Sequence, residues 1–171
     1  MSLAAAAKRL VAAGHKVAVA ESSAGGLISS ELLAQNGASK WYLGGVVCYT
    51  KTAKAALLGL KAETSKPTST EPHAAELAHA VREKLGADWG IGETGVAGPA
   101  PNSRGIAPGV CAIAIVGPQG KRLTATLWPD DGLGAADAYG QAPKVPRAEA
   151  MRNFRARAVD LLCEAVLADE P

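Results

Sequence analysis

Hydrophobic and polar positions along the chain form segments that predict helices and strands in alternation. Apolar residues that recur every three or four positions predict a helix, and short apolar runs between turn residues predict a strand. The predicted helices cover residues 3–13, 24–35, 51–58, 71–85 and 147–168. The predicted strands cover residues 16–21, 43–49, 87–93, 110–116 and 122–127, the last two joined as a hairpin by Gly-Pro-Gln-Gly.

This order of elements predicts an α/β fold. Strands that alternate with helices pair in parallel, and the hairpin adds an antiparallel part. We therefore expect a three-layer α/β/α sandwich on a mixed, mostly parallel sheet. The chain has 171 residues, about the length of a single domain, so we expect one domain over residues 1–171.

Composition narrows the class of protein. The apolar fraction of 48% is ample for a core, and the net charge of +2 comes without a basic tract, so no nucleic-acid partner is expected. No apolar run is long enough to span a membrane, and the N-terminus lacks the apolar stretch of a signal peptide. Cys48, Cys111 and Cys163 are odd in number and widely spaced, which favours reduced, buried thiols over disulfides or a metal site. We expect a cytoplasmic protein without a metal.

The first predicted strand runs into a Ser-Ser-Ala-Gly-Gly turn, residues 22–26, and then into a helical pattern. This order leaves Ser22 at the carboxyl end of a buried strand, beside the free N–H groups of a new helix. A hydroxyl next to anion-stabilising donors is half of an acyl-transfer site. The alternative is that Ser22 caps the helix and that Gly25 and Gly26 serve packing.

The histidines do not offer a base for this serine. His15 lies in a Gly-His turn, and His73 and His79 are six residues apart on a helix, so they do not share a face. A Ser-His-Asp triad therefore has no support in the sequence.

A lysine is better placed as the base. The strand over 43–49 ends at Tyr49, Thr50 can cap the helix that follows, and Lys54 lies in the first turns of that helix. Tyr49 and Lys54 would then flank the same edge of the sheet as Ser22. A serine activated by lysine requires a neutral amine, so burial or a nearby cation must lower the lysine pKa. The alternative is a solvated helix lysine.

Two further segments carry candidate binding residues. Residues 94–99, Thr-Gly-Val-Ala-Gly-Pro, follow a strand, and their glycines let backbone approach a ligand, unless they form an ordinary turn. In the last helix an apolar stripe steps by three and four residues, and extending it back by four reaches Arg147. A cation at a helix start opposes the helix dipole, which favours a role in ligand binding or in lowering the Lys54 pKa. The alternative is an arginine extending to solvent from a frayed end.

These motifs together resemble the CinA C-terminal-domain family, which includes the nicotinamide-nucleotide amidohydrolases. The resemblance covers nearly the whole chain in one consistent order. The matching segments are Ala-Glu-Ser-x-x-Gly-Gly at 20–26, Gly-x-Val-x-Tyr-Thr-x-x-x-Lys at 45–54, Thr-Glu-Pro at 70–72, Thr-Gly-Val-Ala-Gly-Pro at 94–99, and Arg147.

The resemblance implies an α/β sandwich and the deamidation of nicotinamide mononucleotide to nicotinate mononucleotide and ammonia. In the implied mechanism Ser22 attacks the carboxamide carbon, and Lys54, helped by Tyr49, accepts the serine proton. The Gly25-Gly26 turn donates N–H groups to the oxyanion. No cofactor is expected.

The resemblance also implies where the nucleotide binds. Arg147 is expected to act in the catalytic set and, with the 94–99 loop, to hold the phosphate or ribose. The expected partners are the small-molecule nucleotide and further copies of the chain in a homo-oligomer, with a dimer as the working hypothesis. The expected substrate-binding residues are Gly25, Gly26, Thr50, Thr94, Gly95, Ala97 and Gly98.

The chain departs from the family pattern in two places. Ser23-Ala24 stands where the family usually has Cys-Thr, and residues 100–105 replace its glycine-rich loop. A catalytically inactive nucleotide-binding or interaction protein on the same fold is therefore the alternative function. The irregular stretch over 129–146 leads into Arg147, and we expect it to lie beside the pocket as a lid or subunit contact; the alternative is a solvated, disordered loop.

Overall fold

The computed structural model describes residues 1–61, 63, 65–129 and 145–168. In this part of the chain, there are five α-helices and five strands, which alternate as far as α3, and short 3-10 turns lie at Ala38–Lys40 and Pro118–Gly120. The helices and strands, in chain order, are α1 (Leu3–Ala13), β1 (Val17–Glu21), α2 (Leu27–Leu33), β2 (Tyr42–Val47), α3 (Lys51–Leu58), α4 (Glu71–Leu85), β3 (Trp89–Gly95), β4 (Cys111–Val116), β5 (Arg122–Leu127) and α5 (Arg147–Leu167).

The strands form one mixed sheet in the order β2-β1-β3-β4-β5. Strand β1 pairs in parallel with both β2 and β3, whereas β4 pairs antiparallel with both β3 and β5. Four of these strands therefore run in the same direction, and β4 runs against them. The carboxyl ends of β1, β2 and β3 meet at one edge of the sheet, which is where ligand sites of open α/β sheets form.

Helices cover both faces of the sheet, which confirms the predicted three-layer sandwich. Val17 and Val19 of β1 pack in the large core cluster with α1, α2 and α5. Ala18 and Ala20, which alternate with them, pack on the opposite face with α3 and α4. This two-residue alternation is what a strand buried on both faces requires.

Helix α4 lies unusually close to strand β3. A Cβ atom added at Gly92 would overlap with the backbone of Ala74, and one added at Gly90 would overlap with that of Ala78. Only glycine fits at these two positions, because the helix backbone occupies the space of a side chain. The contact runs antiparallel, so the first turn of α4 lies beside the carboxyl end of β3.

Helices α1, α3 and α4 and strand β5 have the predicted bounds, and α5 ends one residue earlier than predicted. Helix α2 begins at Leu27 instead of residue 24 because Gly25 and Gly26 have φ angles of +66° and +97°, outside the helical region. It also ends two residues early, at Leu33. Strand β3 continues to Gly95, two residues beyond the prediction, because its pairing with β4 extends to Cys111.

The predicted lid over 129–146 lies almost wholly outside the described residues, which stop at 129 and resume at 145. Within the described ranges, no helix is both long and apolar enough to cross a membrane. The same residues contain no group of three or more His, Cys, Asp or Glu side chains placed to hold a metal ion. Cys48, Cys111 and Cys163 are buried free thiols, as predicted.

Candidate active site

Ser22 lies just beyond β1 in a buried turn that is bound to the neighbouring strand. Ser22 is 6% exposed. The backbone N–H groups of Ser22 and Ala24 both donate to Oε2 of Glu93, at 2.9 and 2.8 Å. The carboxylate of β3 therefore fixes the position of the turn that carries the candidate nucleophile.

The residue after Ser22 has a structural role. Ser23 Oγ donates to the carbonyl of Gly95 at 2.6 Å and accepts the Gly95 N–H at 3.1 Å. Two hydrogen bonds therefore hold the end of β3 against the turn. Thr94, beside Gly95, is also buried, and its Oγ1 accepts the backbone N–H of Ser69 at 3.1 Å. The polar groups of Thr94 and Gly95 thus hold the protein's own segments together at this edge.

Glu21 occupies the N-terminus of α2. Its Oε2 accepts the N–H groups of Gly26 at 2.8 Å and Ile28 at 3.0 Å. Its Oε1 accepts the N–H of Ser29 at 2.8 Å and the Ser29 hydroxyl at 2.5 Å. A carboxylate is stabilised here because the first N–H groups of a helix have no partner within the helix.

Because the Glu21 carboxylate caps α2, the Gly25-Gly26 turn cannot act as predicted. The prediction that Gly26 donates to an oxyanion is wrong for this conformation, because its N–H is bound to Glu21. The N–H groups of Ser23 and Gly25 have no acceptor among the described residues, so they are the donors that remain. The alternative that Ser22 caps α2 is also wrong, because the N-cap residue is Gly26.

Lys54 is buried beside this edge, on α3. Thr50 caps that helix as predicted, its Oγ1 accepting the Ala53 N–H at 3.1 Å. Lys54 is 6% exposed, so the alternative of a solvated lysine is wrong. Burial lowers the pKa of Lys54, while the nearby Cys48 thiol and Glu93 carboxylate act in the opposite direction. Within the described part of the chain, no hydrogen bond joins Lys54 to the Ser22 hydroxyl.

Arg147 connects two of the predicted binding segments. Its Nη1 donates to the carbonyl of Gly98 at 2.5 Å, and its Nη2 donates to the hydroxyl of Tyr49 at 3.2 Å. The guanidinium carbon also lies 6.0 Å from the centre of the Tyr49 ring. Tyr49 is 57% exposed, so this pair faces solvent at the rim of the edge. Ala97, beside Gly98, is buried in the core.

The prediction that Arg147 points inward is wrong. Arg147 is exposed, whereas Ala150 and Phe154 are buried. The apolar stripe of α5 therefore begins one turn later than its backward extension implies. The side chain nonetheless reaches back over the edge to Gly98 and Tyr49, which an arginine can do because its stem is long and flexible.

Sequence reasoning missed Glu93 as a member of the site. Burial raises the pKa of Glu93 to about 7, although the N–H groups of Ala24 and Ser22 and the Cys111 thiol stabilise its charge. The Cys111 Sγ lies 3.4 Å from Glu93 Oε1, and burial and this carboxylate raise the thiol pKa well above its usual value. The available signal was a pair of acidic residues, Glu21 and Glu93, each at the carboxyl end of an apolar strand.

His73 was also missed. It lies in the first turn of α4 and is 2% exposed. Its burial could have been predicted from the sequence, because His73 lies four residues before Leu77 in the apolar stripe that continues to Val81. Leu85, at the other end of the same stripe, is exposed.

The fold and this edge define an α/β protein with a polar site at the carboxyl ends of parallel strands. Residues 2–132 match the sequence profile of the CinA C-terminal domain. The chain therefore belongs to the CinA C-terminal domain family.

Sequence relatives agree with this assignment. A CinA-like protein of Anaeromyxobacter is 38% identical over 125 residues, 72% of this chain and 31% of that protein. A putative competence-damage inducible protein of Desulforamulus reducens is 42% identical over 113 residues, 65% of this chain and 27% of that protein. The chain thus spans about a third or less of the length of these curated relatives.

Solved structures show the same fold over the whole chain. The crystal structure of a CinA superfamily protein from Enterobacter cloacae has a TM-score of 0.78 and 26% identity, and the match covers 97% of this chain and 89% of that one. A competence damage-inducible protein from Klebsiella pneumoniae has a TM-score of 0.81 and 24% identity, covering 98% and 97%. Both neighbours therefore resemble this chain from end to end.

Proposed function

We propose that this protein is an amidohydrolase that converts nicotinamide mononucleotide to nicotinate mononucleotide and ammonia. The observation that carries the proposal is the joint placement of Ser22 and Lys54 at one edge of the sheet. Ser22 is fixed there through Glu93, and the same Glu93 acts on the charge of Lys54. A buried lysine with a lowered pKa, at the same edge of the sheet as an immobilised serine, is consistent with Ser-Lys acyl transfer.

In the proposed reaction the Ser22 Oγ forms a bond to the carboxamide carbon while Lys54 takes the hydroxyl proton. The carbon–nitrogen bond then breaks, and the same proton passes to the departing amine, which leaves as ammonia. Lys54 then takes a proton from a water molecule, whose oxygen attacks the ester carbon; the bond to Ser22 Oγ breaks, Lys54 returns the proton to Oγ, and the carboxylic acid product is released. The N–H groups of Ser23 and Gly25 are the available donors to the oxyanion.

The proposed nucleotide site lies at the rim formed by Arg147, Tyr49 and Gly98. The guanidinium group has donors beyond the two that it uses within the protein, because an arginine carries five. A phosphate or ribose hydroxyl could therefore be bound there. A homo-oligomer and a cytoplasmic location remain part of the same proposal.

A non-catalytic nucleotide-binding protein is the second candidate. It is favoured by the absence, within the described residues, of a hydrogen bond between Ser22 and Lys54. It is also favoured by Glu93, whose carboxylate raises the Lys54 pKa and so opposes the neutral amine that a base requires.

Ammonia release from nicotinamide mononucleotide separates the two candidates. The purified protein should release ammonia and nicotinate mononucleotide in equal amounts, measured by a coupled ammonia assay and by chromatography. The Ser22→Ala variant, purified in the same way, controls for a contaminating amidase. Nucleotide binding without ammonia release from the wild type would favour the non-catalytic candidate.

A further inference from the structure

A cavity of about 270 Å³ lies between α3, the first turn of α4 and the loops that precede α4 and β4, and Lys54 is one of the residues that line it. Among the described residues that line it, no side chain carries a carboxylate. Its basic side chains are Lys51, Lys54, Lys66, His73 and Arg104. Basic groups this close together disfavour one another's charged forms, and an anion in the cavity would offset that repulsion.

The basic side chains divide into a buried floor and an exposed rim. Lys54 and His73 form the floor, with exposures of 6% and 2%. Lys51, Lys66 and Arg104 are exposed and form the rim. The buried floor is the stronger indication of a ligand, because lysine is almost never buried unless it has a partner.

His73 has one ring nitrogen in use and one free. Nδ1 lies 3.0 Å from Oε2 of Glu76, whereas Nε2 is buried and has no hydrogen-bond partner within the described residues. A buried polar atom without a partner is costly and requires an explanation, such as a ligand that is bound when the protein works.

Hydrogen bonds to Glu76 and Thr68 fix the two loops that line the cavity. The two carboxylate oxygens of Glu76 accept the backbone N–H of Lys66 at 3.0 and 2.8 Å, so one side chain anchors both the His73 ring and the loop. Nη1 of Arg104 donates to the Thr68 carbonyl at 2.7 Å, which ties the second loop to the first. A site held in advance in this way loses less entropy when it binds a ligand.

We infer that this cavity binds a phosphate group, with Lys54 and His73 on its floor and Lys51, Lys66 and Arg104 around its mouth. The site is separate from the rim of Arg147 and Gly98. A phosphomonoester or inorganic phosphate carries up to two negative charges and several acceptor oxygens, which match the ammonium, guanidinium and imidazolium donors present. Lys54 is shared with the proposed deamidase site, but phosphate binding is measured separately from deamidation.

Binding should be coupled to protonation of His73. Burial lowers the pKa of His73 and Lys54 lowers it further, while Glu76 raises it. With Nδ1 donating to Glu76, neutral His73 presents a lone pair at Nε2, which an anion does not favour. An anion in the cavity favours the imidazolium, so phosphate binding takes up a proton and strengthens as the pH falls. The other charges that face this ring across the cavity belong to Lys51, Lys66 and Arg104.

Calorimetric titration with inorganic phosphate tests the site directly. The variants Lys66→Met and Arg104→Met remove exposed rim cations, so both should fold. Arg104→Met also breaks the hydrogen bond to the Thr68 carbonyl, so Lys66→Met is the test of charge alone. Each should weaken phosphate binding by about tenfold, as expected for a charge-assisted hydrogen bond. The control Lys8→Met removes the same charge from an exposed position on α1, on the other face of the sheet, and should leave the affinity unchanged. No phosphate binding by the wild type, or equal affinities in all four proteins, would overturn the inference.

Sulfate isolates the role of His73, because its charge does not change between pH 6 and 8. Sulfate should bind the wild type more tightly at pH 6 than at pH 8, with proton uptake seen as a dependence of the binding heat on buffer. The His73→Gln variant should bind without that proton uptake. Undiminished proton uptake in a folded His73→Gln variant would remove His73 from the site.

Competition distinguishes the source of the phosphate. Nicotinamide mononucleotide should displace bound phosphate if the cavity holds the phosphate of that nucleotide, whereas nicotinamide riboside, which lacks the phosphate, should not. If neither compound displaces it, the site serves a separate phosphate ligand. The competition is measured in the Ser22→Ala variant, which lacks the proposed nucleophile and so does not consume the nucleotide, and failure of the deamidase proposal leaves this test intact. Equal displacement by the riboside would show that the cavity does not recognise phosphate and would overturn the inference.

Discussion

Oε2 of Glu93 lies 2.9 Å from the backbone nitrogen of Ser22, so a carboxylate on one strand holds the serine that follows its neighbour. Burial brings the pKa of this carboxyl to about 7. Its charge therefore changes near neutral pH, and that charge raises the pKa of Lys54. The protonation of Glu93 is thus linked to the state of the proposed base.

Replacing Glu93 with glutamine should shift the pH profile of deamidation. The amide keeps an oxygen to accept the Ser22 N–H but has no charge to hold Lys54 protonated. Because the carboxylate raises the Lys54 pKa, its removal should move the rising limb of kcat/KM to lower pH. Superimposable profiles for wild type and Glu93→Gln, measured between pH 5.5 and 9.5, would contradict the proposed base.

The same substitution should change how stability depends on pH. The Glu93 pKa is raised from an ordinary value of 4.5 to about 7 in the folded protein, so the folded state retains a proton that the unfolded state loses. The contribution of this group to stability therefore falls as the pH rises from about 4.5 to about 7. The Glu93→Gln variant should lose less stability than the wild type between pH 5 and pH 8, by about 2–3 kcal/mol in urea unfolding. An equal loss in both proteins would argue against the raised pKa.

Ser22 and Ser23 should respond in opposite ways to replacement with alanine. Ser22→Ala removes the proposed nucleophile and should reduce kcat by about 10³-fold or more, with an unchanged melting temperature. Ser23→Ala breaks two part-buried hydrogen bonds to Gly95 and should lower the free energy of unfolding by about 1–3 kcal/mol, with most activity retained. If Ser23→Ala were the inactive variant, Ser22 would not be the nucleophile.

Lys54→Met should separate catalysis from stability. The substitution removes the proposed base and should abolish ammonia release. It also removes an amine whose charged form is disfavoured by burial, so the free energy of unfolding should not fall. Lys8→Met on α1 is exposed and serves as the control, with an effect on stability of about 0.5 kcal/mol or less and activity retained. Residual activity in Lys54→Met close to that of the control would exclude a Ser-Lys mechanism.

Arg147 should act on nucleotide binding more than on folding. Arg147→Ala removes the exposed guanidinium beside Tyr49 and Gly98, so KM for the nucleotide should rise about tenfold or more. The melting temperature should change little, because exposed polar contacts contribute little to stability. Tyr49→Phe keeps the ring under the guanidinium and should have a smaller effect on KM. Steady-state kinetics and a thermal melt of both variants check this, and an unchanged KM in Arg147→Ala would count against the rim site.

The accuracy of the sequence prediction depends on how local each signal is. Helix α4 has the predicted bounds because Thr70, Pro72 and Gly86 mark its ends within the sequence itself. Helix α2 begins later than predicted, because its N-terminus is capped by the side chain of Glu21 from the preceding strand. Such a cap depends on how the chain folds back on itself, which periodicity does not reveal.

In the candidate site, too, local features were predicted and features that depend on tertiary packing were not. Ser22 and Thr50 were correctly placed after their strands, since strand ends and helix caps are local features. The burial of Glu93 and His73 depends on α4 lying close to β3, and this close contact is possible because Gly90 and Gly92 face the backbone of the preceding helix, which hydrophobic periodicity does not reveal. The exposure of Arg147 likewise depends on where α5 meets the sheet, which its own stripe does not specify.

The carboxylate of Glu21 neutralises the positive end of the α2 dipole from inside the protein. An incoming anion therefore gains little from that helix and must be recognised by side chains, several of which face solvent. Attraction to exposed charges is screened within about 8–10 Å at physiological salt. Anionic ligands should accordingly bind this protein with a steep dependence on ionic strength, and affinities measured in dilute buffer will exceed those that hold in a cell.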